Sequence, residues 1–237
     1  MSPDAMLAGA AEVIDDFAMF GITALTTGRA FGTLGTGGDE PVHEVMGRWN
    51  AVVAFAASRG ATRLATSPQV HGGEVHAHGA GWQGWLRATP ADGHVSASRG
   101  TAIAVTVADC VPVFLAHPSG AAGVLHSGWR GTAARIIERG IAQLASQGAP
   151  AHELRLHLGP AVCGACYEVS ADVHARLTGI DPGSPATVDL RAIIAGHARA
   201  AGVSHISVSS LCTRCDNGVL FSHRCGDAGR QVGMILS

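Results

Sequence analysis

The middle of the chain carries three apolar runs that predict three consecutive strands. They cover residues 103–107, 111–116 and 121–125, and each is nearly free of polar side chains. Unbroken apolar runs of this length are typical of strands that are buried on both faces, because a half-exposed strand would alternate with polar residues. We therefore expect these three strands to lie at the centre of the fold.

The remaining segments alternate between helical and strand patterns. Apolar residues at helical spacing predict helices over residues 5–20, 41–58, 132–147, 173–177 and 190–201. Shorter apolar runs predict strands over residues 22–25, 61–70, 82–86, 94–98, 154–158, 205–208 and 231–236. Because this alternation continues without a change in composition, it predicts an α/β fold with a mixed sheet and a single domain over residues 1–237.

A glycine-rich segment at residues 31–39 interrupts the alternation. No lysine follows it and no clear strand precedes it, so it fits neither the phosphate-binding P-loop nor the dinucleotide-binding fingerprint. We interpret it as a solvent-exposed loop, with contact to a substrate as the alternative.

Composition restricts the classes of function. Hydrophobic residues make up 47% of the 237 residues and charged residues only 14%, which favours a large buried core over a disordered chain. The net charge of −2 predicts no basic surface and hence no nucleic-acid partner. No apolar run reaches the ~18 residues of a membrane span, and the acidic N-terminal segment is unlike a signal peptide. These features predict a cytoplasmic protein without a membrane partner, in which cysteines are ligands, catalysts or core residues.

Three residues that follow or interrupt the apolar runs could form a metal site. Cys110 follows the first central run, His126 follows the third, and His71 precedes two glycines that allow a ligand to approach the backbone. Two imidazoles and one thiolate form a ligand set of catalytic zinc, which keeps a fourth position open. Asp109 and Ser127 are neighbours of two of these residues and could orient them. The alternative is that Cys110 is simply a small buried side chain.

The sequence Trp129-Arg130 begins the helical pattern after the third central run and is a candidate anion site. A helix N-terminus presents free N–H groups, and a guanidinium can pair with two phosphate oxygens. The alternative is that Arg130 forms a structural salt bridge while Trp129 belongs to the core. Arg29 and Arg48 are further candidates for contacts to phosphate or ribose.

Two Cys-x-x-Cys pairs, Cys163/Cys166 and Cys212/Cys215, could together bind a structural zinc ion. The interval between the pairs far exceeds the ~15–20 residues that separate such pairs in zinc ribbons. We therefore expect that the pairs do not share a metal, with a fold that brings them together as the alternative.

Several motifs resemble those of the laccase-domain family. They are QVHGGEVH at 69–76, VADCVPVFLAHP at 107–118, HSGWRGT at 126–132, LGPAVCGACYEV at 158–169 and FSHRCGDAGRQVG at 221–233. The motifs follow the order of the family and cover the chain from Thr26 to the C-terminus. Members of this family were first described as polyphenol oxidases and are now regarded as purine nucleoside phosphorylases.

The resemblance implies a fold, a metal site and a reaction. The implied fold is a layered α/β/β/α sandwich with mixed sheets, and the implied metal is zinc, bound by His71, Cys110 and His126. The implied reaction is phosphorolysis of adenosine, inosine, guanosine and methylthioadenosine, with adenosine deaminase activity at the same site. With Arg130 as the phosphate ligand, these residues form the predicted catalytic set. The chain departs from the family at 222–225, Ser-His-Arg-Cys, where members often have Tyr-Arg-Arg-Asp.

The residues leave three other functions open. A laccase holds several copper ions through paired His-x-His motifs, whereas this chain has one such pair, His76/His78, and an aromatic content of 5%. Because Cu²⁺ outranks Zn²⁺ in affinity for such donors, oxidation that depends on copper in vitro could be adventitious. Cys110 and His126 could instead be the nucleophile and base of a cysteine hydrolase or amidase. The third alternative is a metal-binding or sensing module without catalysis.

Overall fold

The computed structural model describes residues 4–237 and contains two large sheets flanked by helices. The helices are α1 Asp4–Ala8, α2 Val42–Ser58, α3 Trp129–Ala133, α4 Ile136–Ser146, α5 Ala171–Thr178 and α6 Leu190–Ala200. The strands are β1 Ala10–Val13, β2 Thr23–Thr27, β3 Arg63–Thr66, β4 Val75–Ala77, β5 Gly84–Arg87, β6 Gly93–Ser96, β7 Thr101–Val107, β8 Val111–Ala116, β9 Ala122–Ser127, β10 Arg155–Leu158, β11 Glu168–Val169, β12 Ala186–Thr187, β13 His205–Val208 and β14 Gln231–Leu236. Short 3₁₀ helices cover Asp15–Phe20, Arg29–Phe31, Ala151–Glu153 and His223–Cys225.

Both large sheets combine parallel and antiparallel pairs. The first has the strand order β1-β2-β14-β7-β3-β5, in which β14 is antiparallel to its neighbours and β3 is parallel to its own. The second has the order β13-β10-β8-β9-β6-β4, in which β8 and β9 form an antiparallel hairpin and β10 and β13 are parallel. The predicted α/β class with mixed sheets is therefore confirmed.

Buried side chains show how these elements are layered. Ile103 of β7 packs between the two sheets, together with Phe114 of β8 and Val124 of β9. Residues that alternate with these face the helices. Ala104 belongs to the cluster that includes α2, and Leu125 belongs to the cluster that includes α4, α5 and α6. The resulting order of helix, sheet, sheet and helix is the α/β/β/α sandwich that the resemblance implies.

The N-terminal segment differs from the prediction. Residues 5–20 form α1, β1 and a 3₁₀ helix rather than one helix. β1 pairs with β2, with Ala10 opposite Thr27, so sheet pairing bonds backbone groups that a helix would have bonded internally. An added Cβ at Gly9 would lie 2.8 Å from the Cβ of Phe31, so the change from helix to strand occurs where only glycine fits.

The predicted helix over residues 132–147 is divided in two. Arg135 separates α3 from α4 with a left-handed backbone, φ 55°. Because α3 has only five residues, the summed peptide dipole at Trp129 is smaller than a long helix would give. None of the described helices is long and apolar enough to cross a membrane.

Candidate active site

Cys110 and His126 face each other across the β8–β9 hairpin. The chain passes from the first sheet to the second between β7 and β8, and Asp109 makes this turn with a left-handed backbone, φ 80°. Cys110 then immediately precedes β8. Because the antiparallel register places Pro112 opposite His126, Cys110 lies beside the end of β9. The predicted meeting of Cys110 and His126 is confirmed, and the β8–β9 register is its cause.

His71 joins this pair from the loop between β3 and β4. Its backbone is left-handed, φ 57°, and its ring lies edge-on to that of His126 with 4.8 Å between the ring centroids. The metal-binding atoms of His71, Cys110 and His126 all lie within 4.8 Å of one another. The structure thus brings together the three residues that the sequence pattern selects.

A buried carboxylate, Asp92, orients this group of donors. Nδ1 of His126 donates a hydrogen bond to Oδ1 of Asp92 at 2.8 Å. The carboxylate also accepts hydrogen bonds from three consecutive backbone N–H groups, those of Val70, His71 and Gly72. Burial raises the pKa of Asp92, but these hydrogen bonds outweigh it and leave the pKa below its usual value. One side chain therefore keeps Nε2 of His126 available to a ligand and holds the loop that carries His71.

Asp92 has the supporting role predicted for Asp109 and Ser127, and the prediction for those two residues is wrong. Asp109 instead accepts hydrogen bonds from the C-terminal segment, namely from the hydroxyls of Thr213 and Ser222 and the backbone N–H of Arg224. The hydroxyl of Ser127 bonds that of Thr132 at 2.9 Å. Asp92 stands in an Ala-Asp-Gly sequence, which is typical of a turn and gives no sign of this role.

Before a metal displaces the Nε2 proton of His126, Cys110 and His126 form a charged pair near neutral pH. Burial raises the pKa of the Cys110 thiol, but the charge of His126 and hydrogen bonds from His126 and His71 outweigh it and lower the pKa to about 6. Burial lowers the pKa of His126, but the charges and hydrogen bonds of Cys110 and Asp92 raise it to about 9. The sulfur is therefore deprotonated at neutral pH, as both a metal ligand and a nucleophile require.

The donors and the space around them suit a metal ion. Thiolate and imidazole are donors that zinc and copper prefer. An added Cβ at Gly128 would lie 2.7 Å from Sγ of Cys110 and 3.6 Å from a ring carbon of His71, so a larger residue would occupy the space between the donors. The described residues thus include a His/Cys group that could hold a metal.

The three donors line a pocket of about 680 Å³. Its lining also includes an aromatic wall formed by Trp49 and Trp85, whose rings stack with their centroids 5.0 Å apart. Residues 34–36 of the glycine-rich segment also line the pocket. The segment is a partly exposed loop, as predicted, and its position at the pocket also fits the alternative, contact with a ligand.

Two arginines that line the pocket, Arg87 and Arg130, have guanidinium groups without hydrogen-bond or ion-pair partners among the described residues. Arg130 is exposed and stacks over the ring of Trp129, 4.4 Å from its centroid. Within residues 4–237, neither Arg130 nor Arg87 donates a side-chain hydrogen bond or forms an ion pair. The structural salt bridge proposed as the alternative for Arg130 is thus not formed among the described residues. The sequence pattern does not select Arg87.

The other two candidate arginines serve the fold. Arg29 forms an ion pair with Asp227 at 2.6 Å, and Arg48 forms one with Glu40 at 2.5 Å. Neither arginine lines the pocket. Both predicted contacts to phosphate or ribose are therefore without support in the geometry.

The fold brings the two Cys-x-x-Cys pairs together, against the expectation from their spacing. The sulfur atoms of Cys163, Cys166, Cys212 and Cys215 all lie within 4.8 Å of one another. The pairs follow β10 and β13, which are parallel neighbours, so the loops after these strands leave the same edge of the sheet. A crossover through α5 and α6 accounts for the long interval in sequence.

The single His-x-His pair belongs to a separate histidine cluster. Nε2 of His78 and Nδ1 of His94 share a hydrogen bond of 2.9 Å. Burial and neighbouring imidazoles lower the pKa of His94 to about 3 and that of His78 to about 4, so both rings are neutral at pH 7. Among the residues described, two groups of three or more donors could hold a metal. One is formed by His71, Cys110 and His126, here called the His71 group, and the other by the four cysteines.

A known family matches most of this sequence. The family model described as multi-copper polyphenol oxidoreductase laccase matches residues 33–237. The chain belongs to this family. The solved structure of the Bacillus licheniformis hypothetical protein YfiH is 22% identical, has a TM-score of 0.84 and covers 97% of both chains, which shows that the two proteins share a fold.

Two relatives carry the names of nucleoside enzymes. The purine nucleoside phosphorylase ORF3 of Streptomyces griseus is 34% identical over 206 residues, which cover 80% of this chain and 79% of that protein. The adenosine deaminase RL5 of an unknown prokaryotic organism is 36% identical over 147 residues, 56% of each chain. The resemblance inferred from the motifs is confirmed.

Proposed function

We propose that this protein is a zinc-dependent purine nucleoside phosphorylase that also deaminates adenosine. Its substrates are adenosine, inosine, guanosine and methylthioadenosine together with phosphate. Its products are the free base and ribose-1-phosphate, or methylthioribose-1-phosphate from methylthioadenosine. The observation that carries the proposal is the convergence of His71, Cys110 and His126 on one pocket with the unpaired guanidinium of Arg130. The names of the two relatives support this class of substrate.

Each of these residues has a distinct task in the proposal. His71, Cys110 and His126 hold the zinc ion. Bound there, zinc supplies Lewis-acid stabilisation of developing negative charge. Arg130 binds phosphate, because a planar guanidinium pairs with two phosphate oxygens at once. Its stack over Trp129 restricts the orientation of that plane.

The aromatic wall of the pocket suits a purine base. The indole N–H groups of Trp49 and Trp85 already have partners, the carbonyl of Leu34 and the hydroxyl of Thr66, each at 3.0 Å. Rings with bonded polar edges present an apolar face, and such faces stack on flat aromatic molecules. We therefore place the base near this wall and the phosphate near Arg130.

The direct test is to incubate protein of defined metal content with adenosine, with and without phosphate, and to identify the products. We expect adenine and ribose-1-phosphate only when phosphate is present, and inosine when phosphate is absent. Zinc-loaded protein that yields neither adenine nor inosine would contradict the proposal.

Phosphorolysis and deamination are expected to compete. Phosphate attacks the ribose carbon and water attacks the base, and in the proposal both reactions use adenosine bound in one pocket. With adenosine fixed, raising phosphate should therefore increase adenine and ribose-1-phosphate while suppressing inosine. The measurement is the rate of each product across a phosphate series. Inosine formation that is indifferent to phosphate while adenine rises would exclude competition, although phosphorolysis itself would stand.

Replacing Arg130 with alanine should weaken the apparent affinity for phosphate about tenfold to hundredfold. This range follows from the loss of a charge-assisted hydrogen bond worth about 1.5–3 kcal/mol. Bound metal should be unchanged, because Arg130 is not among the donors. The measurement is the phosphate dependence of adenine formation at saturating adenosine.

The matched control is Arg199→Ala. Arg199 is also exposed and does not line the pocket, so its loss removes the same charge without touching the site. If Arg130→Ala and Arg199→Ala show the same phosphate dependence as the parent protein, Arg130 is not the phosphate ligand.

The rival functions differ in their need for metal and nucleoside. A cysteine hydrolase that uses Cys110 and His126 requires no metal, so metal-free protein would keep its activity. A sensing module would turn over no nucleoside. Copper can replace zinc on these donors, and we expect phenol oxidation only in copper-treated protein. We place the protein in the cytoplasm, where reducing conditions keep its six free thiols available.

A further inference from the structure

We propose that Cys163, Cys166, Cys212 and Cys215 bind a second, structural zinc ion. Four sulfur donors without an open position are typical of structural rather than catalytic zinc. This group shares no donor with His71, Cys110 and His126, so the proposal does not depend on the enzymatic reaction.

The distances between the sulfur atoms fit tetrahedral zinc. A Zn–S bond of about 2.3 Å places the sulfur atoms of a regular tetrahedron about 3.8 Å apart. Sγ of Cys166 lies 3.5 Å from Sγ of Cys215, and all four sulfur atoms lie within 4.8 Å of one another. Small shifts of the side chains are therefore sufficient to bind the ion.

Backbone hydrogen bonds hold both pairs in place. The backbone N–H groups of Cys163 and Cys215 point to Sγ of Cys212, at 3.3 and 3.5 Å. Such donors stabilise negative charge on a sulfur ligand. Each pair closes a turn of its own, since the N–H of Cys166 bonds the carbonyl of Cys163 and the N–H of Asp216 bonds that of Cys212.

A β-bridge fixes one turn against the other. It joins Ala161 to Cys212, and the N–H of Thr213 bonds the carbonyl of Ala161 at 3.2 Å. The four ligands are thus supplied by two turns that the fold already aligns, which lowers the entropy lost when a metal binds.

The proposed zinc links two segments that form the pocket. Tyr167 follows Cys166 directly and lines the pocket, as do His223 and Arg224 of the segment that follows Cys215. Two arginines also connect these segments. Arg214 and Arg224 donate to backbone carbonyls at 3.5 and 2.7 Å, and the guanidinium of Arg224 lies over the ring of Tyr167, 4.7 Å from its centroid. The ion would therefore stabilise this wall of the pocket.

Metal analysis of cysteine variants tests the proposal. Protein purified under reducing conditions is expected to contain two zinc ions per chain, and Cys215→Ser should contain one. Cys225→Ser is the matched control, because Cys225 is also an exposed free thiol but lies outside the group, and it should keep both ions. Cys110→Ser should lose the other ion and keep this one. Equal zinc content in Cys215→Ser and the parent protein would overturn the proposal.

Thiol reactivity of the unaltered protein tests the proposal without a variant that could misfold. With zinc bound, a thiol reagent should modify Cys225 quickly and the four grouped cysteines slowly. A chelator should then make five further thiols reactive, the four of this group and Cys110. Adding cobalt to metal-free Cys110→Ser, where only the four-cysteine group can supply thiolates, should produce a thiolate-to-cobalt charge-transfer band. Four grouped thiols that react as fast before chelation as after it would overturn the proposal. So would a disulfide between Cys166 and Cys215 in protein kept under reducing conditions.

Discussion

Replacing Cys110 with serine is expected to remove one zinc ion per chain and to abolish nucleoside phosphorolysis. A hydroxyl is a far poorer zinc ligand than a thiolate, and the low pKa of Cys110 supplies that thiolate at neutral pH. Loss of a direct ligand should weaken zinc binding by more than the roughly 10–100-fold that loss of a supporting residue causes. The measurement is zinc content by elemental analysis, together with adenine formation in the presence of phosphate.

Metal removal from the unaltered protein separates the two possible roles of Cys110. If Cys110 is a ligand, chelation abolishes activity and added zinc restores it. If it is a nucleophile with His126 as base, metal-free protein stays active while Cys110→Ser does not. Cys225→Ser controls for the loss of a thiol as such, because Cys225 is exposed and lies outside the His71 group. Full zinc occupancy in Cys110→Ser would exclude the ligand role.

The central strands could be predicted because a strand that is buried on both faces has an almost unbroken run of apolar residues. β7, β8 and β9 lie between a layer of helices or loops and the opposing sheet, so nearly every residue in them is apolar. The N-terminal segment has no such unbroken apolar run. Met6 and Phe17 are fully buried in two different clusters, and their spacing imitates one helical face although a strand intervenes.

The site could be predicted in part, because its donors stand next to the central strands. Cys110 and His126 are neighbours because β8 and β9 pair with each other. The two apolar runs and the short turn between them are sufficient to predict that pairing. Asp92 could not be found in this way, since its partner His126 is distant in sequence and Asp-Gly is typical of an ordinary turn. Arg87 could not be selected either, because its place in the site depends on a pocket that several separate segments enclose.

The four cysteines can be recognised in the sequence, but their meeting in one site is not predicted. Their motifs are plain in the sequence, yet ribbon spacing argues against a shared site. That argument assumes that both pairs belong to one local hairpin, whereas here a crossover between the parallel strands β10 and β13 brings them together. Spacing rules for metal sites therefore hold only within the fold for which they were derived.

Replacing Asp92 with asparagine is expected to weaken zinc binding at the His71 group about 10–100-fold, as is usual when a carboxylate that supports a histidine ligand is lost. Asparagine keeps the size of the side chain but loses the charge and one of two acceptor oxygens. Those oxygens now accept hydrogen bonds from His126 and from the loop that carries His71. The measurement is competition against a chromophoric chelator in the Cys215→Ser background, where the four-cysteine group does not contribute.

Asp227→Asn provides the matched control for this prediction. Asp227 also accepts several hydrogen bonds, from Arg29, Asn217 and the backbone of Ser222, but it does not touch the donors. Its loss should lower stability without changing zinc affinity. In Asp92→Asn, by contrast, zinc affinity should fall even when circular dichroism shows a folded protein. Unchanged affinity in folded Asp92→Asn would mean that Asp92 only shapes the 70–72 loop, and that His126 needs no carboxylate to present its Nε2.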